Sequence, residues 1–191
     1  MNLPLVMART SLASLALLAA LLTGCAEKPK QTVEQRYAAA KALFEKASRD
    51  YHIPSAQARG IERSQLEEQA ATIYAEVAAR YADQPMWASQ ALRSLANIRS
   101  AQTNITEAVK LYAQVAEKFP KQDFEVIMAW KSAGDLLSDS GRTGEAKVYY
   151  EKIIARFDKP DALPIVQSVV RGCKARLAGE LTSFPESQVS A

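Results

Sequence analysis

Apolar residues recur at helical spacing through most of the chain, in segments separated by short polar stretches. Three segments share one pattern, with apolar residues at i, i+4, i+7 and i+11. This spacing places the apolar residues along one side of an α-helix, whereas a half-buried strand would alternate. The pattern therefore predicts an all-α protein. The three segments span residues 69–81, 107–119 and 145–157, with sequences QAATIYAEVAARY, EAVKLYAQVAEKF and EAKVYYEKIIARF.

The three segments repeat with a period of 38 residues. Tyr74, Tyr112 and Tyr150 are equivalent under this period, and they are predicted to fill the core between neighbouring helices. The intervening segments 87–100 and 124–138 also have helical spacing, so the repeating unit is a helical hairpin. A small residue recurs at one position of the first helix and predicts a close approach of two helix backbones. This position is occupied by Ala96, Gly134 and Gly172.

The repeated residues resemble the tetratricopeptide-repeat (TPR) family, in which a small residue is followed at fixed spacing by alanine, an aromatic residue and proline. The 38-residue unit resembles the bacterial envelope subgroup that includes the outer-membrane assembly lipoproteins of the BamD (YfiO-like) type. The resemblance implies a helical-hairpin solenoid, coiled as a right-handed superhelix of about seven helices, with the helix at 164–181 as a C-terminal cap. The matching residues are Ala96, Ala108, Tyr112 and Pro120 in one unit, and Trp130, Gly134, Ala146 and Tyr150 in the next.

The N-terminal residues are predicted to be a lipoprotein signal peptide. The apolar run at 11–22 follows Arg9, and its length of about 18 Å as a helix is too short for a bilayer core of about 30 Å. The sequence Leu22-Thr23-Gly24-Cys25 resembles a bacterial lipobox, which implies cleavage before Cys25 and its lipidation. The alternative is an uncleaved anchor with an incidental cysteine. Ala26, in place of aspartate, favours sorting to the outer membrane, with the domain on the periplasmic side.

Four regions are therefore expected along the chain. Residues 1–24 are the signal peptide, 25–31 a lipidated tether, 32–181 the TPR-like helical domain, and 182–191 a disordered C-terminal tail. The first hairpin departs from the repeat pattern, because its helices at 32–51 and 64–81 are joined by a connector at 52–60 that is predicted to be a loop.

Composition favours a binding protein over an enzyme. The formal charge is +3, with 24 basic and 21 acidic residues, which does not indicate nucleic acid as a partner. The only histidine, His52, is expected to be exposed or packed in the connector. Glu67 and Glu68 diverge by about 100° on a helix and are predicted to be solvated. No phosphate-binding loop, nucleophile elbow or HExxH sequence occurs. We therefore predict no catalytic residue, cofactor, metal or small-molecule substrate.

The resemblance also implies a binding groove on the first helix of each hairpin. The predicted peptide-binding residues are Arg93 and Asn97, then Lys131 and Asp135, and Arg176 from the cap helix. Their cations are expected to be solvated and to attract an acidic peptide or a free carboxylate; plain solvated surface is the alternative for any one of them. The wider set of predicted lining residues is Gln90, Ser100, Met128, Ser138, Val166, Val169 and Cys173.

The predicted function is that of a non-enzymatic, lipid-anchored periplasmic scaffold that binds a protein or peptide in envelope biogenesis, as in outer-membrane protein assembly. One alternative is a subunit of a secretion, polysaccharide-export or cell-wall complex. A competing class is a thiol-dependent enzyme, in which Cys173 would be the reactive group. Thiol reactivity separates this class from the scaffold, because such chemistry requires a thiolate.

Overall fold

The computed structural model describes residues 31–179. The predictions for the signal peptide, for the tether up to residue 30 and for the C-terminal tail lie outside this range. Seven helices of 14–21 residues make up most of the described range, in which no strand occurs. The all-α prediction is confirmed. The helices are α1 (Val33–Lys46), α2 (Gly60–Arg80), α3 (Pro85–Ala101), α4 (Ile105–Lys118), α5 (Asp123–Asp139), α6 (Thr143–Phe157) and α7 (Pro164–Leu177).

The helices stack in chain order. From α2 onward each helix packs against the next one, and the odd-numbered helices also contact one another, α1 with α3, α3 with α5, and α5 with α7. Each hairpin thus touches its neighbours in sequence, which is the arrangement expected for a helical-hairpin solenoid. Among the described residues, no helix combines the length and apolarity needed to cross a membrane.

The helix boundaries follow local sequence signals. Asn104 caps α4 by accepting a hydrogen bond from the Glu107 backbone N–H at 3.3 Å, and its Nδ2 donates to Glu107 Oε2 at 2.7 Å. The first of these bonds satisfies one backbone donor that the first turn leaves unpaired, and the second joins the two side chains. Pro85 and Pro164 are the first residues of α3 and α7, where proline costs no helical hydrogen bond. Local sequence signals therefore account for the starts of α3, α4 and α7.

The repeated tyrosines form the core, as predicted. Tyr74, Tyr112 and Tyr150 are 1%, 3% and 3% exposed. Two of them also make equivalent polar contacts at the edge of the core. The Tyr112 hydroxyl donates to Asn97 Oδ1 at 2.7 Å, and the Tyr150 hydroxyl donates to Asp135 Oδ1 at 3.0 Å. Tyr112 and Tyr150 therefore each join the two helices of their hairpin through both packing and a hydrogen bond.

At the small-residue position, where a close approach of two helix backbones was predicted, Gly134 makes room for the side chain of Tyr150, and Gly172 makes no comparable contact. A Cβ atom at Gly134 would lie 2.6 Å from Cε1 of Tyr150. At Gly172, no described atom outside the local helix backbone lies within 4 Å of such a Cβ. The prediction is wrong there because no described helix follows α7, so nothing occupies the place that Tyr150 fills in the preceding repeat.

Alanine substitutions at the two glycines are expected to change the free energy of unfolding in opposite directions. Gly134→Ala is expected to lower the free energy of unfolding by about 1–2 kcal/mol, because the new methyl group would displace the packed Tyr150 ring. Gly172→Ala is expected to raise it by about 0.5–1 kcal/mol, because alanine loses less backbone entropy inside a helix. Urea unfolding followed by circular dichroism measures both. Changes of the same sign would contradict the difference in packing.

The first hairpin differs from the prediction in its connector. The backbone of α1 continues as a π-helical segment, Ala47–His52, and then as one helical turn, Ile53–Ser55. The loop predicted at 52–60 is therefore partly helical, and α2 begins four residues earlier than predicted, at Gly60 with φ +56°. The burial of Ala47 explains the continuation, since this residue keeps the helix packed against the core.

Aromatic side chains hold α1 against the stack. The ring of Phe44 lies 5.3 Å from that of Tyr74 and 5.5 Å from that of Trp87, measured between centroids. Tyr37 makes an edge contact with Trp87 at 5.8 Å. Such contacts contribute beyond the area they bury. They provide the first hairpin with a core although it lacks the repeat pattern.

The prediction that Glu67 is solvated is wrong. Glu67 is 6% exposed and lies in the interior of α2, where its Oε1 accepts a hydrogen bond from Arg63 Nε at 2.8 Å. The neighbouring Glu68 is exposed and forms an ion pair with Arg99 from α3. The earlier start of α2 explains the error, because it moves Glu67 from the first turn into the interior of the helix, on the same side as the buried Ala70 and Tyr74.

Candidate functional site

Helices α3 and α5 carry equivalent rows of exposed or partly exposed side chains. Their spacing alternates between four and three residues, so each row follows one side of its helix. We call these residues, with Val166 and Arg176 of α7, the odd-helix stripe. The α3 row is Met86, Gln90, Arg93, Asn97 and Ser100, and the α5 row is Phe124, Met128, Lys131, Asp135 and Ser138; all are half-buried or exposed.

Two residues predicted to line the groove do not belong to this stripe. Val169 is 9% exposed and Cys173 is 2% exposed, and both pack in the core formed by α5, α6 and α7. On α7, Val169 and Cys173 face the core, whereas Val166 and Arg176 remain partly accessible. The α7 part of the predicted groove is therefore smaller than the sequence indicates.

Arg93 is not the solvated cation that the sequence predicts. Its Nε lies 2.5 Å from Oε2 of Glu125 in the next repeat, and the two side chains are 22% and 8% exposed. A buried carboxylate without a partner would carry a large desolvation penalty. Arg93 therefore neutralises Glu125 and links α3 to α5. Sequence reasoning missed Glu125, which lies directly after the stripe residue Phe124.

Asn97 and Asp135 occupy equivalent positions in successive repeats and make equivalent hydrogen bonds. Each accepts the hydroxyl hydrogen bond of the tyrosine fifteen residues further along. Burial raises the pKa of Tyr112, so this hydroxyl remains a donor throughout the physiological range. These two predicted site residues thus fix the second helix of their hairpin. They remain at the stripe surface, where both are half-buried.

Asp135 brings Lys131 and Arg176 together. Lys131 Nζ lies 2.5 Å from Asp135 Oδ2, and Arg176 Nε lies 3.3 Å from Asp135 Oδ1. The side chains of Lys131 and Arg176 are 38% and 32% exposed. Three of the five predicted site residues therefore meet in one cluster, and the cluster joins α5 to α7. We call it the Asp135 cluster.

The thiol of Cys173 lies in the core beside this cluster. Burial raises its pKa to about 11; the charge of Asp135 acts in the same direction, and Lys131 and Arg176 oppose it. A thiol with this pKa is almost wholly protonated at neutral pH, whereas the thiolate is the reactive form. This environment disfavours the alternative in which Cys173 is a reactive centre.

Cys173 is expected to resist alkylation in the folded protein. In a Cys25→Ser chain, iodoacetamide at neutral pH should modify Cys173 slowly, because the thiol is both buried and protonated. Addition of urea should expose the thiol and bring the rate to that of a free cysteine. Mass spectrometry measures both rates. Rapid modification without urea would support the alternative of a thiol-dependent enzyme.

His52 is packed, one of the two states that the sequence allowed. Its Nδ1 lies 3.2 Å from the hydroxyl oxygen of Tyr74, and its ring makes an edge contact with that tyrosine at 5.6 Å. Burial lowers the pKa of His52, although the charge of Glu67 opposes this effect. The imidazole therefore helps to close the first hairpin in its neutral form.

The stripe also has an apolar end, which the sequence analysis did not identify. Met86 and Phe124 are 44% and 53% exposed and lie in the first turns of α3 and α5. Each helix therefore presents apolar area at its N-terminal end. The four-residue step back from Gln90 and Met128 would have located these two side chains.

Comparison with known families supports the repeat. A sequence model of the family described as "Tetratricopeptide repeat" matches residues 90–121, which run from the second turn of α3 to the residue after Pro120. Comparison with curated proteins gave no significant match, and comparison with solved structures gave none either. The repeat match and the stacked hairpins support a TPR-like helical solenoid. Repeats of this kind generally mediate protein–protein interactions and are typically not catalytic. Among the described residues, no group of side chains is arranged to hold a metal ion.

Proposed function

We propose that this chain is a lipid-anchored scaffold on the periplasmic side of the outer membrane. There it binds a protein or peptide segment in envelope biogenesis, such as the assembly of outer-membrane proteins. The observation that carries the proposal is the odd-helix stripe, which α3 and α5 repeat at equivalent positions and leave accessible. Solenoids use such extended surfaces to bind other chains.

The stripe has the composition of a binding surface for a polypeptide. One end is apolar, at Met86 and Phe124, and the Asp135 cluster supplies partly exposed charges seven residues further along α5. Burial of apolar surface is the main favourable term in most protein–protein associations, while charges select the partner and orient it. The thiol of Cys173 is buried, so it gives no comparable support to a thiol-dependent enzyme.

Support for the anchor comes from the sequence alone. Leu22-Thr23-Gly24-Cys25 follows a short apolar run, as in lipoprotein precursors. One acyl chain binds a membrane only marginally, so the several chains that the resemblance implies would be needed for stable attachment. Ala26, which follows the modified cysteine, is the reason for proposing the outer membrane.

Replacement of the proposed lipid-bearing residue tests the anchor. Cys25→Ser is expected to give a larger, unprocessed precursor and to abolish the incorporation of labelled palmitate, because the acyl acceptor is lost. Gel mobility and labelling in a bacterial host measure the two effects. As the matched control, Cys173→Ser should be processed and labelled like the wild-type chain. Palmitate incorporation into the Cys25→Ser chain would refute the lipid anchor.

Cross-linking in a bacterial envelope, followed by affinity purification and mass spectrometry, tests the scaffold. The variant Lys131→Gln with Arg176→Gln should lose the captured partner, whereas Lys147→Gln with Lys152→Gln on α6 removes equal charge away from the stripe and should retain it. Secretion, polysaccharide-export or cell-wall proteins among the partners would favour the alternative complexes. Equal capture by both variants would place the binding surface elsewhere on the protein.

A further inference from the structure

The apolar end of the odd-helix stripe is extended beyond α3 and α5. Tyr37 of α1 is 41% exposed, and its hydroxyl lies 3.7 Å from Sδ of Met86. Phe124 is 53% exposed at the equivalent position of the next repeat. The three side chains therefore present accessible apolar area near the N-terminal ends of successive odd-numbered helices. A bulky apolar side chain of a partner would be desolvated against them.

The Asp135 cluster carries excess positive charge. The carboxylate of Asp135 is shared by Lys131 and Arg176 and also accepts the Tyr150 hydroxyl. An ammonium group has three N–H donors and a guanidinium has five. Within residues 31–179, Asp135 is the only acidic residue that forms an ion pair with either cation. The remaining donors are available to an anion, so the charge complementarity of this cluster favours an acidic group.

The sequence predicts Arg93 to be a solvated cation that attracts an acidic peptide or a free carboxylate, but Arg93 is not free to do so. Its guanidinium is bound to Glu125 of the next repeat, which leaves Lys131 and Arg176 as the more accessible cations of the stripe. The α5 row also continues past Asp135 to Ser138. A bound chain can therefore pass along the stripe without ending there. This geometry favours an acidic side chain within a segment over a C-terminal carboxylate.

The separation of the two contact points sets the spacing in the partner. Phe124 and Lys131 are seven residues apart on α5, which is two helical turns and about 10 Å along the axis. Because seven residues return to nearly the same angular position, both side chains lie on one side of the helix. An extended chain advances about 3.3 Å per residue. Three residues of an extended partner therefore span the distance.

We infer that the odd-helix stripe binds an extended segment of another protein in which a bulky apolar side chain and an acidic side chain are three residues apart. The apolar side chain contacts Met86 and Phe124, and the acidic one binds Lys131 and Arg176. The inference rests on the proposed function and specifies its partner. It names a local pattern that can be sought in any captured protein.

A peptide-selection experiment tests this pattern. Random peptides with acetylated N-termini and amidated C-termini are selected on the purified full-length chain. The wild-type chain should enrich peptides with an apolar and an acidic residue three positions apart. Phe124→Ser should remove the apolar preference and keep the acidic one, and Lys131→Gln with Arg176→Gln should do the reverse. Each loss should be about tenfold in enrichment. Val148→Ser, at an exposed position of α6, is the matched control and should change neither preference.

The outcomes separate this inference from the proposed function. Enrichment of basic peptides, a spacing of seven residues as in a helical partner, or selection that the stripe variants leave unchanged would overturn the inference. If the chain still captured an envelope protein in the cross-linking experiment, the scaffold function would stand without it. Failure of both experiments would remove the scaffold function as well. Unchanged thermal unfolding of the variants would show that the losses do not arise from misfolding.

Discussion

Tyr150→Ala is expected to lower the free energy of unfolding by about 3–5 kcal/mol. Tyr150 is 3% exposed, and its ring fills the space above Gly134, where a Cβ would approach Cε1 to 2.6 Å. Its hydroxyl donates to Asp135, and the Arg176 guanidinium carbon lies 5.8 Å from its ring centroid. The substitution would therefore open a cavity between α5 and α6 and remove a donor from the Asp135 cluster. Urea unfolding followed by circular dichroism gives the free energy.

Tyr150→Phe separates packing from hydrogen bonding. It retains the ring and removes only the hydroxyl, so the expected cost is about 1 kcal/mol. Tyr112→Phe removes the equivalent donor to Asn97 and should cost a similar amount. Equal costs for Tyr150→Ala and Tyr150→Phe would show that the ring contributes little to the stack. The repeated tyrosines would then matter chiefly as donors.

Much of the fold is predictable from the sequence because the repeat displays its constraints three times. One tyrosine at helical spacing indicates little, but three at a period of 38 identify a position that faces the core in every hairpin. The cap at Asn104 and the glycine at 134 are predictable for the same reason, since they depend on local chemistry or on the neighbouring helix in the hairpin. The order and approximate ends of α3 to α6 follow from these signals.

The errors occur where a residue depends on a partner outside the repeat or at its end. Gly172 continues the period into α7, but no described helix follows to pack against it. The π-helical segment at Ala47–His52 depends on the packing of α1 against the stack, and the spacing of apolar residues within α1 does not show it. Glu67 was predicted to be solvated because the start of α2 was placed four residues too late.

The candidate site was predictable as a surface and less so as a set of charges. The four-and-three spacing places Arg93, Asn97, Lys131 and Asp135 on the accessible side of their helices, where the structure has them. The spacing within one helix does not identify the charges that approach from the next helix. Arg93 forms an ion pair with Glu125 of the next repeat, and Lys131 and Arg176 both form ion pairs with Asp135. The stripe residues therefore link successive odd-numbered helices as well as facing solvent.

This distinction predicts different consequences for two cations that the sequence treated alike. Arg93→Ala is expected to lower the free energy of unfolding by about 3 kcal/mol, because it leaves the carboxylate of Glu125 buried without its partner. Lys131→Ala is expected to change it by less than about 1 kcal/mol, because Lys131 is more exposed and Asp135 retains Arg176 and Tyr150. A binding experiment that used Arg93→Ala would therefore confuse loss of a contact with loss of structure.

A double substitution shows whether the unpaired charge is the cause. Glu125→Gln removes the negative charge while keeping the size of the side chain, so Arg93→Ala with Glu125→Gln should recover a large part of the stability lost in Arg93→Ala alone. The comparison is made by urea unfolding at neutral pH. If the double variant were as unstable as the sum of the two single variants, the ion pair would not be what links α3 to α5. The stability lost in Arg93→Ala would then come from the packing of the aliphatic part of the arginine side chain.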